Sequence, residues 1–264
     1  MHMTEPAAPP LLVEQQGPLL RLTLNRPAKL NAVNRELHDA LADTWSSIGR
    51  RRDAAVVVLT GAGRAFCAGG DVAEFGRMEA SGDDRRAMAA EAQAIVLGML
   101  RCPLPIIAAV NGPAIGLGCS LALLSDVVVI ADTAYLADTH VQHGLVPGDG
   151  GFIWPLLSGM MQVRLPLMLG DRIDAAEAYR LGLATRVSTP EALMETAEGI
   201  AERLAAMPRG AVQDTKRMLN LYVERAINGV MDFAMAAERL GFTERRPTPP
   251  ESTVPTHTAM ESSQ

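Results

Sequence analysis

The sequence predicts an α/β fold that ends in a helical region, and three observations carry the prediction. Short apolar runs rich in Val and Ala alternate with stretches of helical periodicity. Two of those runs end in glycine-rich turns, Gly61 to Asp71 and Asn111 to Ser120. From about Asp174 onward the spacing of apolar residues is helical.

The elements follow in order. Leu11 to Val13, a turn at Gly17-Pro18, and Leu20, Leu22 and Leu24 alternating with Arg21 and Thr23 predict a hairpin, closed by Asn25-Arg26-Pro27. Leu37, Leu41, Trp45 and Ile48 fall on one helical face, with Asn34 placed to cap its start. Ala54 to Leu59 reads as a strand buried on both faces and stopped by Gly61-Ala62-Gly63. Met88, Ala92, Ile95 and Met99 mark a helix ended by Pro103 and Pro105. The same syntax then recurs: strand Ile106 to Val110, glycine turn, short helix Cys119 to Leu124, strand Val127 to Ala131. In the final third, Asp174 and Glu177 form a cap pair, and helices are predicted over Pro190 to Met207 and Ala211 to Leu240.

A chain of 264 residues with 48% hydrophobic content buries a full core, which excludes disorder as its main state. The net charge of -6 and pI near 5.4 supply no basic field for nucleic acid or anionic membrane. No apolar run reaches the roughly 18 residues of a membrane span, and the start has no basic and apolar leader pattern. The expectation is a cytoplasmic protein without nucleic-acid or membrane partners. Residues 1–10 and 246–264, rich in Pro, Ser and Thr, read as disordered tails. Cys67, Cys102 and Cys119 lack paired spacing and sit among apolar residues, so they read as small core residues rather than a disulfide framework or zinc site.

Each glycine turn leaves backbone N–H groups unpaired where a strand gives way to a helix. Dinucleotide binding fits poorly, because Phe66 stands where the fingerprint demands its third glycine, and no Gly-Lys-Ser/Thr supports a phosphate loop. Two such donors converging on one oxygen would form an oxyanion hole, which needs no particular side chains.

The wording of these segments resembles the crotonase superfamily, which includes enoyl-CoA hydratases and isomerases. The resemblance runs from Leu20 to about Leu240 through Asn25-Arg26-Pro27, Leu30-Asn31-Ala32, Gly61-x-Gly63-x-x-Phe66-Cys67-Ala68-Gly69-x-Asp71, Pro105 to Gly112, Gly116-x-Gly118-Cys119 and Gly144-Leu145-Val146-Pro147-Gly148. It implies a ClpP-like spiral of ββα units over residues 11–200 and a helical oligomerisation region over 201–245, giving homotrimers or dimers of trimers. It implies an acyl-CoA thioester as substrate, with CoA part of that substrate and no separate cofactor. It places the oxyanion donors at the Ala68 and Leu117 N–H groups. It lays the CoA arm along Lys29, Leu30 and Ala32 and along Ala68, Gly69, Gly70, Asp71 and Val72, with Gly116 beside the thioester.

The sequence departs from the hydratase pattern at the two glutamates that family members use. Ser120 and His140 occupy those positions. A serine has no useful acid or base pKa near neutrality, whereas histidine titrates there. Asp149, nine residues beyond His140, is expected to fold back and orient the ring, while Asp138 and His143 read as solvated or structural. Glu74, Asp83 and Asp84 read as a solvated acidic face, Glu74 being the one placed to replace a missing carboxylate. No metal is expected, since His140, His143 and Asp149 lack further ligands. The leading expectation is a CoA-thioester enzyme that stabilises an enolate and moves a proton through a His140/Asp149 dyad. The alternatives are a CoA-independent β-diketone hydrolase using the same dyad and a silent acyl-CoA-binding protein.

Overall fold

The structure is a computed structural model that describes residues 8–244; the predicted tail beyond 246, and most of the one over 1–10, lie outside the described residues. In chain order its elements are β1 (Leu11–Gln16), β2 (Leu19–Leu24), α1 (Arg35–Ile48), β3 (Val56–Gly61), α2 (Phe75–Ala80), α3 (Gly82–Arg101), β4 (Ile106–Val110), β5 (Ala114–Ile115), α4 (Leu117–Leu123), β6 (Val127–Ala131), β7 (Tyr135–Ala137), α5 (Trp154–Ser158), α6 (Met160–Leu169), β8 (Arg172–Asp174), α7 (Ala175–Arg180), β9 (Arg186–Ser188), α8 (Leu193–Ala205), α9 (Arg209–Ile227) and α10 (Val230–Glu244).

The main sheet has the order β1-β2-β3-β4-β6-β9, with an antiparallel hairpin at one edge and parallel pairing from β2 onward. Every residue of β3 and β4 is buried, as expected of parallel strands covered on both faces. Helix α8 lies across β2, β3, β4 and β6, while α1 packs on α3 through a core that includes Leu37, Leu41, Trp45, Ile95 and Met99. The Asn34 side chain caps α1 by accepting the Leu37 N–H at 3.2 Å. Lys216 on α9 is buried, with Nζ donating to Leu104 O at 2.9 Å and to Asp126 Oδ2 at 2.7 Å, which ties the helical region to the sheet.

The predicted helix Ala211 to Leu240 divides into α9 and α10, because Asn228 leaves helical geometry with ψ 126°. A second sheet, β5-β7-β8, escaped prediction: its strands have only two or three residues, too few to show a period. It nevertheless positions the site. Ile115 pairs with Ala137, and Gly116 N–H donates to Ala137 O at 3.0 Å, so the residues after β7 emerge beside the second glycine turn.

Asn31 braces the first turn. Its Nδ2 lies within hydrogen-bond reach of the carbonyls of Ala62, Ala65 and Phe66, at 2.9, 2.8 and 3.2 Å, and its Oδ1 accepts the Arg26 N–H at 2.8 Å. It also holds φ 57°, which Asn tolerates better than most residues. Asn31→Ala is expected to destabilise the fold by about 3 kcal/mol, from stranded buried carbonyls and left-handed strain together. Urea unfolding would measure it, and a loss under about 1 kcal/mol would contradict the bracing role.

Candidate active site

The two glycine turns lie side by side. Cys67 N–H donates to Pro113 O at 3.0 Å and Ile115 N–H to Cys67 O at 2.9 Å, which pins one turn to the other. Gly69 (φ 84°) and Gly116 (φ 52°) sit where they meet. A methyl group at Gly69 would come within 2.8 Å of Ile115 O, and one at Gly116 within 3.3 Å of His140 Cε1, so both positions combine left-handed backbone with close approach.

Of the two N–H groups expected as donors, only one is uncommitted. Ala68 N–H is already committed to Leu30 O at 3.0 Å, and Ala68 does not line the cavity at this junction. Gly70 does line it. Its neighbours carry the bridge to Val33, with Val33 N–H donating to Gly69 O and Asp71 N–H to Val33 O, which leaves Gly70 N–H without a hydrogen bond among the described residues. Leu117, the first residue of α4, lines the cavity with its N–H likewise uncommitted. The free pair is therefore Gly70 and Leu117. The contact to Leu30 consumes the N–H at position 68, and the bridge between Val33 and Gly70 spares the one at 70, which sequence spacing cannot reveal.

Asp71 lines the cavity too, held by Arg26 at 3.1 and 3.2 Å and capping Ala73 N–H at 3.2 Å. Lys29 and Val72 are exposed, Lys29 without an ion pair among the described residues. Leu30 and Ala32 spend their carbonyls on Ala68 N–H and the Arg26 guanidinium.

Opposite chemistry meets at His140. Its Nδ1 lies 2.6 Å from Asp138 Oδ1, while Nε2 faces Asp149 Oδ2 at 3.8 Å and Glu238 Oε1 at 3.7 Å. Asp138, read from the sequence as solvated or structural, is buried, and it rather than Asp149 fixes the ring. The β7 strand delivers it: Asp138 directly follows Ala137, which is locked to Gly116. Asp149 is held instead by Ser120, whose Oγ donates to Asp149 Oδ1 at 3.0 Å. Ser120 thus positions a carboxylate beside His140. Glu238 was not anticipated. It occupies the buried stripe of α10 with Met231, Ala234, Met235 and Phe242, and a carboxylate on an apolar stripe is the signal that could have found it.

Burial opposes charge on His140, but Asp138, Asp149 and Glu238 outweigh it and hold the imidazole pKa well above its usual value. Burial likewise raises the Asp149 carboxyl, against the pull of His140. Burial pushes Glu238 up to about 8, again against His140. At neutral pH the site therefore holds an imidazolium and a protonated Glu238. Burial also pushes the Cys67 thiol up to about 12, consistent with a core residue and not a nucleophile.

Glu238 makes a stability prediction. The folded group stays protonated up to about 8, whereas the unfolded one ionises above 4.5, so folding carries a penalty that is absent below 4.5 and grows as pH rises toward 8. Glu238→Gln removes it and is expected to stabilise the protein by about 2 kcal/mol at pH 7, with little gain near pH 4. Urea unfolding at several pH values checks this; a gain that does not grow with pH would refute the assignment.

Donor atoms of Asp138, His140 and Asp149 lie within 4.8 Å of one another, near enough to suggest a metal. The Asp138 contact occupies one ring nitrogen and the Asp149 approach the other. His143 packs edge-on against Phe75, and Glu74, though on the cavity wall, is paired with Arg77 at 2.8 Å. Among the described residues no helix is long and apolar enough to cross a membrane.

Comparison with known proteins agrees with this architecture. Residues 14–239 match the family described as enoyl-CoA hydratase/isomerase. The chain is 32% identical over 225 residues to a 1,2-epoxyphenylacetyl-CoA isomerase of Escherichia coli K12, covering 84% of this chain and 86% of that protein. It is 34% identical over 219 residues to a probable enoyl-CoA hydratase of Rhizobium meliloti, covering 81% and 82%. Among solved structures, an enoyl-CoA hydratase/isomerase from Mycobacterium paratuberculosis superposes with a TM-score of 0.86 at 44% identity, over 89% of this chain and 94% of that one. A mixed α/β fold of this topology, with a family match over most of its length, makes the chain a member of the enoyl-CoA hydratase/isomerase family of the crotonase superfamily.

Proposed function

We propose that the protein is an acyl-CoA enzyme that forms a thioester enolate and moves a proton at its carbon chain, in the manner of enoyl-CoA hydratases and isomerases. The observation that carries this reading is the pair of uncommitted N–H groups, Gly70 and Leu117, on the same cavity as His140, Asp149 and Glu238. CoA enters as part of the substrate, with Lys29 exposed where a phosphate of its arm would pass. The thioester oxygen takes the two N–H donors, whose interaction strengthens as the oxygen becomes an oxyanion. Asp149, a carboxylate of raised pKa, removes the proton from carbon, and the bonding electrons pass to the thioester oxygen. The His140 imidazolium, oriented by Asp138, opposes the developing negative charge and returns a proton to the chain. Ser120 and His140 stand in for the usual glutamate pair, one holding a carboxylate and the other acting as the acid. Exposed apolar residues such as Met161, Leu165, Tyr222 and Phe233 supply surface for the homotrimer the family implies.

The test is exchange of α-hydrogens in deuterated water, followed by NMR on saturated and unsaturated acyl-CoA thioesters, with loss of the conjugated thioester absorbance in parallel. Exchange without net turnover would still support enolate formation. Tight thioester binding with no exchange would make the protein a silent binder, and cleavage of a cyclic β-diketone with no thioester binding would make it a hydrolase; either overturns the proposal.

A further inference from the structure

A different wall of the same cavity, built by α1 and α3, carries titratable side chains that the proton transfer does not use. Arg35 and His38 come from α1 and Glu91 from α3, and all three line the cavity. His38 Nδ1 lies 2.8 Å from Glu91 Oε2, and Arg35 Nη2 donates to Glu91 Oε1 at 2.5 Å. Arg35 also pairs with Asp39 at 3.0 Å. The His38 and Glu91 side chains are only 12% and 18% exposed.

The hydrogen-bond inventory of this trio is nearly closed. An ionised carboxylate only accepts, so the His38 Nδ1 carries the hydrogen directed at Glu91. Glu91 is engaged on both oxygens, and the Arg35 charge is answered by Glu91 and Asp39. What remains is His38 Nε2, which has no hydrogen bond among the described residues. The same cavity is lined by Met88 and Ala92 of α3 and by Phe75 and Met78 of α2. A plain hydrocarbon chain packed here would strand Nε2 without a partner, at the cost that an unmet buried polar group carries.

We infer that His38 determines specificity: the acyl group of the substrate bears an oxygen substituent, a hydroxyl or a carbonyl, that hydrogen-bonds to His38 Nε2 while the thioester sits at Gly70 and Leu117. This rests on the acyl-CoA reading above and narrows its substrate class. A neutral ring accepts from a hydroxyl, and a protonated ring donates to a carbonyl, so the ligand series separates the two.

Calorimetric titration tests the inference independently of catalysis. CoA thioesters from butanoyl to octanoyl, each unsubstituted, ω-hydroxylated and ω-oxo, are titrated into the wild-type protein, His38→Leu and His38→Gln. At one chain length an oxygenated thioester is expected to bind about ten- to a hundredfold more tightly than its unsubstituted counterpart, the ratio that an unmet buried partner produces. His38→Leu should abolish that ratio by weakening only the oxygenated ligand, and His38→Gln should retain part of it. Equal affinities across the wild-type series, or a preference that survives in His38→Leu, would overturn the inference. Should His38→Leu fail to fold, a preference for the oxygenated ligand that His38→Gln retains in full at every chain length does the same. Absence of binding by any thioester would instead overturn the acyl-CoA reading.

Discussion

Leu117→Pro is expected to lower kcat for enolate formation by about a hundred- to a thousandfold, the effect of removing one oxyanion donor. The substitution is unusually clean at this position. Leu117 is the first residue of α4, where proline's fixed φ suits the helix and its missing N–H costs no intrahelical bond. The preceding Gly116, at φ 52° and ψ -122°, lies outside the α region that a following proline disfavours. Leu117→Ala keeps the N–H and loses similar packing, so it serves as the control and is expected to stay within a few-fold of wild type. The measurement is single-turnover deuterium exchange in both variants, with thermal unfolding alongside. Equal rates for Leu117→Pro and Leu117→Ala would remove Leu117 from the oxyanion hole.

His140→Gln is expected to reduce α-hydrogen exchange by about a hundred- to ten-thousandfold, the range of general acid–base catalysis, while thioester affinity changes little. The amide preserves approximate shape and some hydrogen bonding to Asp138 but cannot carry the positive charge that the Asp138 and Asp149 carboxylates stabilise at this point. That charge contributes to folding below the ordinary histidine pKa and is lost as pH rises through the raised folded value. The variant should therefore lose stability at neutral pH and lose less at high pH, a loss where Glu238→Gln gives a gain. Asp149→Asn is expected to give a comparable kinetic loss, and the double variant should be scarcely worse than either, because the groups act as a unit. Exchange that persists in His140→Gln would shift the proton transfer to Asp149 and Glu238 alone.

Much of this architecture is legible in the residues. The all-apolar strands β3 and β4, the stripe of α1 and the punctuation by Gly61, Pro103 and Pro105 are local patterns whose physical cause lies within a few residues of each other. The approach of Asp149 to His140 was also readable from motif spacing. Asp138 and Glu238 were not. The burial of Asp138 depends on a three-residue strand pairing with the edge of a glycine turn, and Glu238 reaches the site only because α10 folds back across a loop ninety or so residues earlier in the chain.

The sequence by itself determined the alternating strands and helices, the two donor-rich turns and the family, because hydrophobic periodicity and glycine punctuation are short-range consequences of backbone geometry. Only the tertiary structure decided which donors are free and what holds the imidazole. The N–H of Ala68 is spent on Leu30, that of Gly70 is spared, and Glu238 of the distant α10 joins Asp138 and Asp149 around His140. Hydrogen-bond commitment and electrostatic environment are sums over neighbours in space, and distant segments become neighbours only when the chain is folded.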